Sequence, residues 1–156
     1  MRSIAFVLLV LPVIAHANWS YEEQIDAFSD DSKYLAYTTS TTDRNGAVMV
    51  NCINGSLAIV LKIGAHHVPA GFPQPVMEFR YRVDKGEIVE TDGIFMEGSF
   101  VMTSGSKDFQ KLLPALQAGQ VLSAELTDYR AIAKRHHFSL KGSSAAIRKV
   151  VNACSR

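Results

Sequence analysis

The sequence predicts an α+β domain, mostly antiparallel β (a sheet or a small sandwich), with two helices, one of them C-terminal. Three observations carry that expectation. Apolar and polar residues alternate in short runs separated by Gly, Asn, Asp and Pro turn signals, which is the period of strands. The period changes to three and four only over 106–118 and again after Gly142. Two cysteines, Cys52 and Cys154, sit in a chain that opens with the form of an export signal.

Taken in order, Met1-Arg2-Ser3 is a short positive lead and Ile4 to Ile14 an apolar core. Ala15-His16-Ala17 has the small-x-small form of a cleavage site. Residues 1–17 are therefore read as a signal peptide and residues 18–156 as one exported domain. The apolar run falls short of the roughly 20 residues of a membrane-spanning helix, so no stable membrane span is expected after cleavage. The expected compartment is the periplasm or the exterior. In such a compartment two cysteines read as a disulfide, and two allow a single intramolecular pairing, Cys52 with Cys154. The bond would clamp the C-terminus onto the sheet.

Residues 18–32 are polar, with Trp19 as an apolar anchor and a turn-rich acidic segment at Asp26 to Ser32. Lys33 to Thr41 alternates as a strand, and Asp43-Arg44-Asn45-Gly46 turns the chain. Ala47 to Ile53 and Ser56 to Ile63 flank Asn54-Gly55, the strongest short hairpin signal. Gly64 to Pro75, broken by three prolines, reads as an exposed loop with Phe72 at its tip. Val76 to Asp84 is the next strand, Glu87 to Glu90 is expected to pair back, and Ile94 to Thr103 reads as one further strand.

Phe109, Leu112, Leu113 and Leu116 then mark an amphipathic helix with Ser106 at its cap and Gly119 at its end. Pro114 is expected to kink or shorten it. Gln120 to Tyr129 and Ala133 to Leu140 are strands. Gly142-Ser143 opens a last helix that buries Ala146, Ile147, Val150, Val151 and Cys154.

Charge and motifs exclude several classes. The formal charge is +1 and drops to near zero without Arg2, so no nucleic-acid partner is expected. The basic run Lys134-Arg135-His136-His137 reads as the polar stretch of an edge strand. Its two histidines and the pair His66-His67 read as surface or half-buried side chains. Adjacent strand residues point to opposite faces, so neither pair can chelate one metal. There is no G-x-S-x-G elbow, phosphate loop or G-x-G-x-x-G. The chain is read as a non-enzyme with no cofactor and no metal. The spacing of Arg80, Arg82 and Asp84 predicts one charged stripe facing a single side of a strand. Together with Phe72 these are the candidate partner-binding residues.

Several short motifs follow one another in an order that resembles a known family. They are Trp19, Asp30-Asp31-Ser32-Lys33, Val50-Asn51-Cys52-Ile53-Asn54-Gly55, Phe79-Arg80-Tyr81-Arg82-Val83-Asp84, Phe138-Ser139-Leu140-Lys141-Gly142, Ala146 and Ala153-Cys154. The order resembles the VasI/TagO family of small exported proteins associated with type VI secretion. The chain departs from the family pattern after Asp84, where Ile94-Phe95-Met96 stands in place of a segment with Trp. The resemblance implies a periplasmic accessory or adaptor protein of a secretion apparatus, acting through contacts with another envelope protein. It also implies the same disulfide. The competing expectation is a secreted inhibitor or immunity-type protein directed at a cell-wall hydrolase.

Overall fold

The structure, a computed structural model, describes residues 18–25, 32–62, 78–91, 94–96, 98–127 and 132–155. The leader, the 64–75 loop with Phe72 and the pair His66-His67 lie outside the described residues.

The strands are β1 (Ser20–Ile25), β2 (Ser32–Thr39), β3 (Ala47–Ile53), β4 (Ser56–Lys62), β5 (Glu78–Val83), β6 (Val89–Thr91), β7 (Ile94–Met96), β8 (Ser99–Thr103), β9 (Val121–Thr127) and β10 (Ala133–Ser139). Helix α1 (Lys107–Ala118) precedes β9, and α2 (Ser143–Cys154) closes the chain. The α+β class expected from the sequence is the one found. Every strand pairing is antiparallel, in a six-stranded sheet β1-β2-β3-β4-β8-β7 and a four-stranded sheet β10-β9-β5-β6.

One face of each sheet is apolar, and both contribute to a single core. Ala36, Val48, Val50, Ile59, Leu61, Phe100 and Met102 come from the larger sheet. Phe79, Tyr81, Leu122, Ala124, Leu126 and Phe138 come from the smaller one. The rings of Phe79 and Phe100 stack across the two sheets at 4.2 Å between centroids. Leu112, Leu116, Ile147 and Val150 of the helices are fully buried in the same core.

Local chemistry explains the boundaries. Asn54 and Gly55 both have positive φ (51° and 73°), the pair of left-handed residues that a tight hairpin between β3 and β4 requires. The Ser106 side chain accepts from the Phe109 N–H and caps α1. Gly119 ends α1 for a steric reason: a Cβ there would overlap Val83, while its φ of −81° is open to any residue.

Three expectations are corrected. Helix α1 is not shortened by Pro114 and continues to Ala118. Pro114 and Gln110 are both exposed, so the Gln110 carbonyl left without its i+4 donor lies on the solvent side. The run 94–103 is two strands, because Gly98 at φ 77° turns β7 back onto β8. The polar segment after Trp19 forms an edge strand, β1, whose outward residues Ser20, Glu22 and Gln24 hid its period. Trp19 itself is buried and donates its Nε1–H to the Ser139 carbonyl.

Cys52 and Cys154 form the expected disulfide, with 5.6 Å between Cα atoms and 102 residues of separation. Cys52 lies on the inward side of β3, so the bond fastens the end of α2 to the larger sheet. No helix among the described residues is long and apolar enough to cross a membrane.

Candidate functional site

The outward face of the four-stranded sheet gathers Arg80, Arg82, Glu125 and Arg135 on three neighbouring strands. Strand β9 alternates strictly, with Leu122, Ala124 and Leu126 inward and Val121, Ser123, Glu125 and Thr127 outward. Its neighbours are β5 and β10, so cross-strand register builds two rows. Arg80, Glu125 and Arg135 form the first, and Arg82, Ser123 and His137 the second.

In the first row Glu125 sits between two guanidinium groups. Arg80 reaches Glu125 Oε1 at 2.5 Å from Nη2 and 2.7 Å from Nε, and Arg135 Nε donates to Oε2. Packed between these arginines, the Glu125 side chain is only 13% exposed. The hydrogen bond from Arg135, reinforced by the one from Arg80, holds its carboxyl below the usual glutamate range. The same bond to Glu125 raises the Arg135 guanidinium further above its ordinary value.

In the second row Ser123 Oγ and His137 Nδ1 share a hydrogen bond of 2.9 Å. Arg82 is exposed and makes no ion pair among the described residues. A concavity of about 300 Å³ lies over both rows and is bordered by Ile88 of the β5–β6 connection.

Of the residues singled out from the sequence, Arg80 and Arg82 do share one outward face. Asp84 does not continue their stripe. Strand β5 ends at Val83, and Asp84 turns off it with φ 54°. Its Oδ1 accepts from the backbone N–H groups of Gln120 (3.0 Å) and Val121 (2.8 Å), which fixes the junction between α1 and β9. Asp is one of the few residues that tolerate this conformation. Phe72 lies outside the described residues.

The pair His136-His137 splits across the sheet as adjacent strand residues must. His137 faces outward, and His136 is 1% exposed, in contrast to the surface or half-buried position expected for it. Its ring stacks with Phe138 and fills the space beside Gly46, where a Cβ would overlap it. The β2–β3 loop meets β10 there, and the Thr41 N–H donates to the His137 carbonyl at 2.8 Å. Glu125 and Ser123 were not singled out from the sequence. Their outward alternation on β9 is readable, but the strands beside β9 are not.

Inside the core, Ser143 donates its hydroxyl to the Leu116 carbonyl at 2.6 Å and ties the helices together. The cap of α2 is Gly142, with no side-chain cap bond. Burial, with the Asp108 carboxylate as a lesser cause, pushes the Tyr81 hydroxyl up to about 12. Among the described residues no group of three His, Cys, Asp or Glu side chains is placed to hold a metal ion.

Fold and face together define a disulfide-clamped α+β domain that presents a charged, concave sheet surface. No family model, curated protein or solved structure matches the chain.

Proposed function

We propose that this chain is an exported accessory or adaptor protein of a secretion apparatus, and that the outward face of the four-stranded sheet is its contact with another envelope protein. The observation that carries the reading is the grouping of three arginines on one sheet face, Arg80 and Arg135 on either side of Glu125 and Arg82 one row away with no ion pair among the described residues. Like charges so grouped repel one another, and an opposing surface of complementary charge relieves that repulsion. The leader pattern of residues 1–17 and the disulfide support an oxidising compartment such as the periplasm. The VasI/TagO resemblance supports the type VI context.

The test is a crosslinked pull-down of the oxidised protein from its own cell envelope, read by mass spectrometry. The doubly substituted Arg80→Ala/Arg82→Ala protein serves as comparison. Enrichment of type VI baseplate or membrane-complex proteins that the double variant loses is the expected result. Full retention by the variant would remove the face from the contact. Recovery of one cell-wall hydrolase, inhibited by the protein at micromolar concentration, would replace the adaptor reading with the inhibitor reading.

A further inference from the structure

We infer that the partner presents an extended acidic segment, with one carboxylate seated on Arg82 beside the Ser123–His137 pair and an apolar side chain against Ile88. This rests on the contact face proposed above and names the chemistry that fits it.

Glu125 already engages Arg80 and Arg135, which leaves Arg82 as the guanidinium of this face with no ion pair among the described residues. Its row neighbours add a donor in every protonation state. If Ser123 donates to His137 Nδ1, a neutral ring carries its proton on Nε2. If Nδ1 donates to Ser123 Oγ, the serine proton is free. Each arrangement leaves an unused N–H or O–H next to a guanidinium, which is the complement of a carboxylate. The connection after Arg82 carries Asp84, Lys85 and Glu87; Asp84 turns onto the Gln120 and Val121 N–H groups, which leaves Lys85 and Glu87 as one charge of each sign.

The apolar part follows from exposure. Ile88 is 53% exposed at the rim of the concavity, and Val121 is 41% exposed two residues from Ser123 on the same side of β9. A volume of about 300 Å³ exceeds that of one carboxylate and suits a side chain or two. The remainder of the face argues for a segment over a broad anionic surface. Glu90 lies directly across from Arg80 on β6 and Glu78 two residues before Arg80 on β5, so charge across the whole face balances and the positive excess is confined to the row of Arg82. An anionic membrane surface calls for a patch of four to eight cations.

Fluorescence anisotropy on the oxidised protein tests this with two labelled, end-blocked peptides, Val-Asp-Val-Asp-Val and Val-Asn-Val-Asn-Val. The Asp peptide is expected to bind at least tenfold more tightly. Arg82→Gln is expected to lose that tenfold, while Arg44→Gln, which removes an exposed charge from the β2–β3 loop, keeps it. Equal binding of the two peptides overturns the inference, as does an equal loss in both variants. Binding to phosphatidylglycerol vesicles without binding to the Asp peptide also overturns it.

A photo-crosslinking residue at position 88 separates this from the broader reading. A partner segment captured there without Asp or Glu sinks the acidic inference and leaves the contact face standing. No capture from position 88 sinks both.

Discussion

The two sheets share one core yet show different outer faces. Tyr37, Met49, Val60 and Val101 form a cross-strand row on the outside of the six-stranded sheet. These four are half-buried by one another and by their strand neighbours. The corresponding row on the four-stranded sheet is Glu90, Arg80, Glu125 and Arg135. The larger sheet also packs against α2 and holds the disulfide, whereas the smaller one holds the exposed guanidinium groups. The disulfide clamp and the exposed charge are therefore divided between them, which allows the charged face to change without unfolding the domain.

The largest expected effect breaks the larger sheet's side of this division. Replacing both cysteines by Ala should cost about 2–5 kcal/mol in urea unfolding, because a loop of this length is freed in the unfolded chain. A loss under about 1 kcal/mol would mean that apolar packing alone holds α2, well below the range for such a bond.

The next effect probes the junction where the sheets meet. Gly46→Ala drives a methyl into the His136 ring and should cost about 1–3 kcal/mol. Gly105→Ala, with open space around it, should stay within about 0.5 kcal/mol. Equal melting temperatures for the two variants would show that the β2–β3 loop yields freely.

Asp84→Ala should cost about 1–2 kcal/mol, because two backbone N–H groups lose their acceptor and Ala tolerates φ 54° poorly. Partner binding should survive it, which distinguishes Asp84 from Arg82. Lost binding in a folded Asp84→Ala protein would return Asp84 to the contact face.

The smallest effect concerns Glu125→Gln, at less than about 1 kcal/mol, since Arg80 and Arg135 remain largely in solvent. Its sign with pH is definite. The Glu125 carboxyl lies below its ordinary 4.5 in the folded protein, so its contribution is complete above that value. The contribution fades as pH falls through the lowered folded value. Unfolding free energies of the two proteins should differ at pH 7, and the difference should shrink as pH falls below 4.5. A gap that widens in acid would contradict the Arg–Glu–Arg arrangement.

The parts of the fold that were legible in the sequence depend on local chemistry. Asn54-Gly55 marked a hairpin, Ser106 a helix cap, and the spacing of Phe109, Leu112 and Leu116 a buried face. The cysteines identified a tertiary contact because two residues have one pairing. The candidate site was half legible. Arg80 and Arg82 could be placed on one side of a strand by parity. Their assembly with Glu125 and Arg135 depends on β9 lying between β5 and β10, and the β5–β9 pairing joins strands far apart in the chain. Parity also misled at Asp84, because it assumes that the strand continues. One αL residue ends the alternation, and periodicity carries no signal of φ.

The disulfide has a last consequence. Cys52 and Cys154 enclose nearly all of the chain from β4 onward in one covalent ring. A protease that cuts a single peptide bond inside that ring opens it without releasing a fragment. The nicked product remains one molecule, with its two sheets still paired, until a second cut or a reductant separates the pieces. A protein built this way is expected to run at full size on a non-reducing gel after limited digestion and to fall into fragments only when thiol is added.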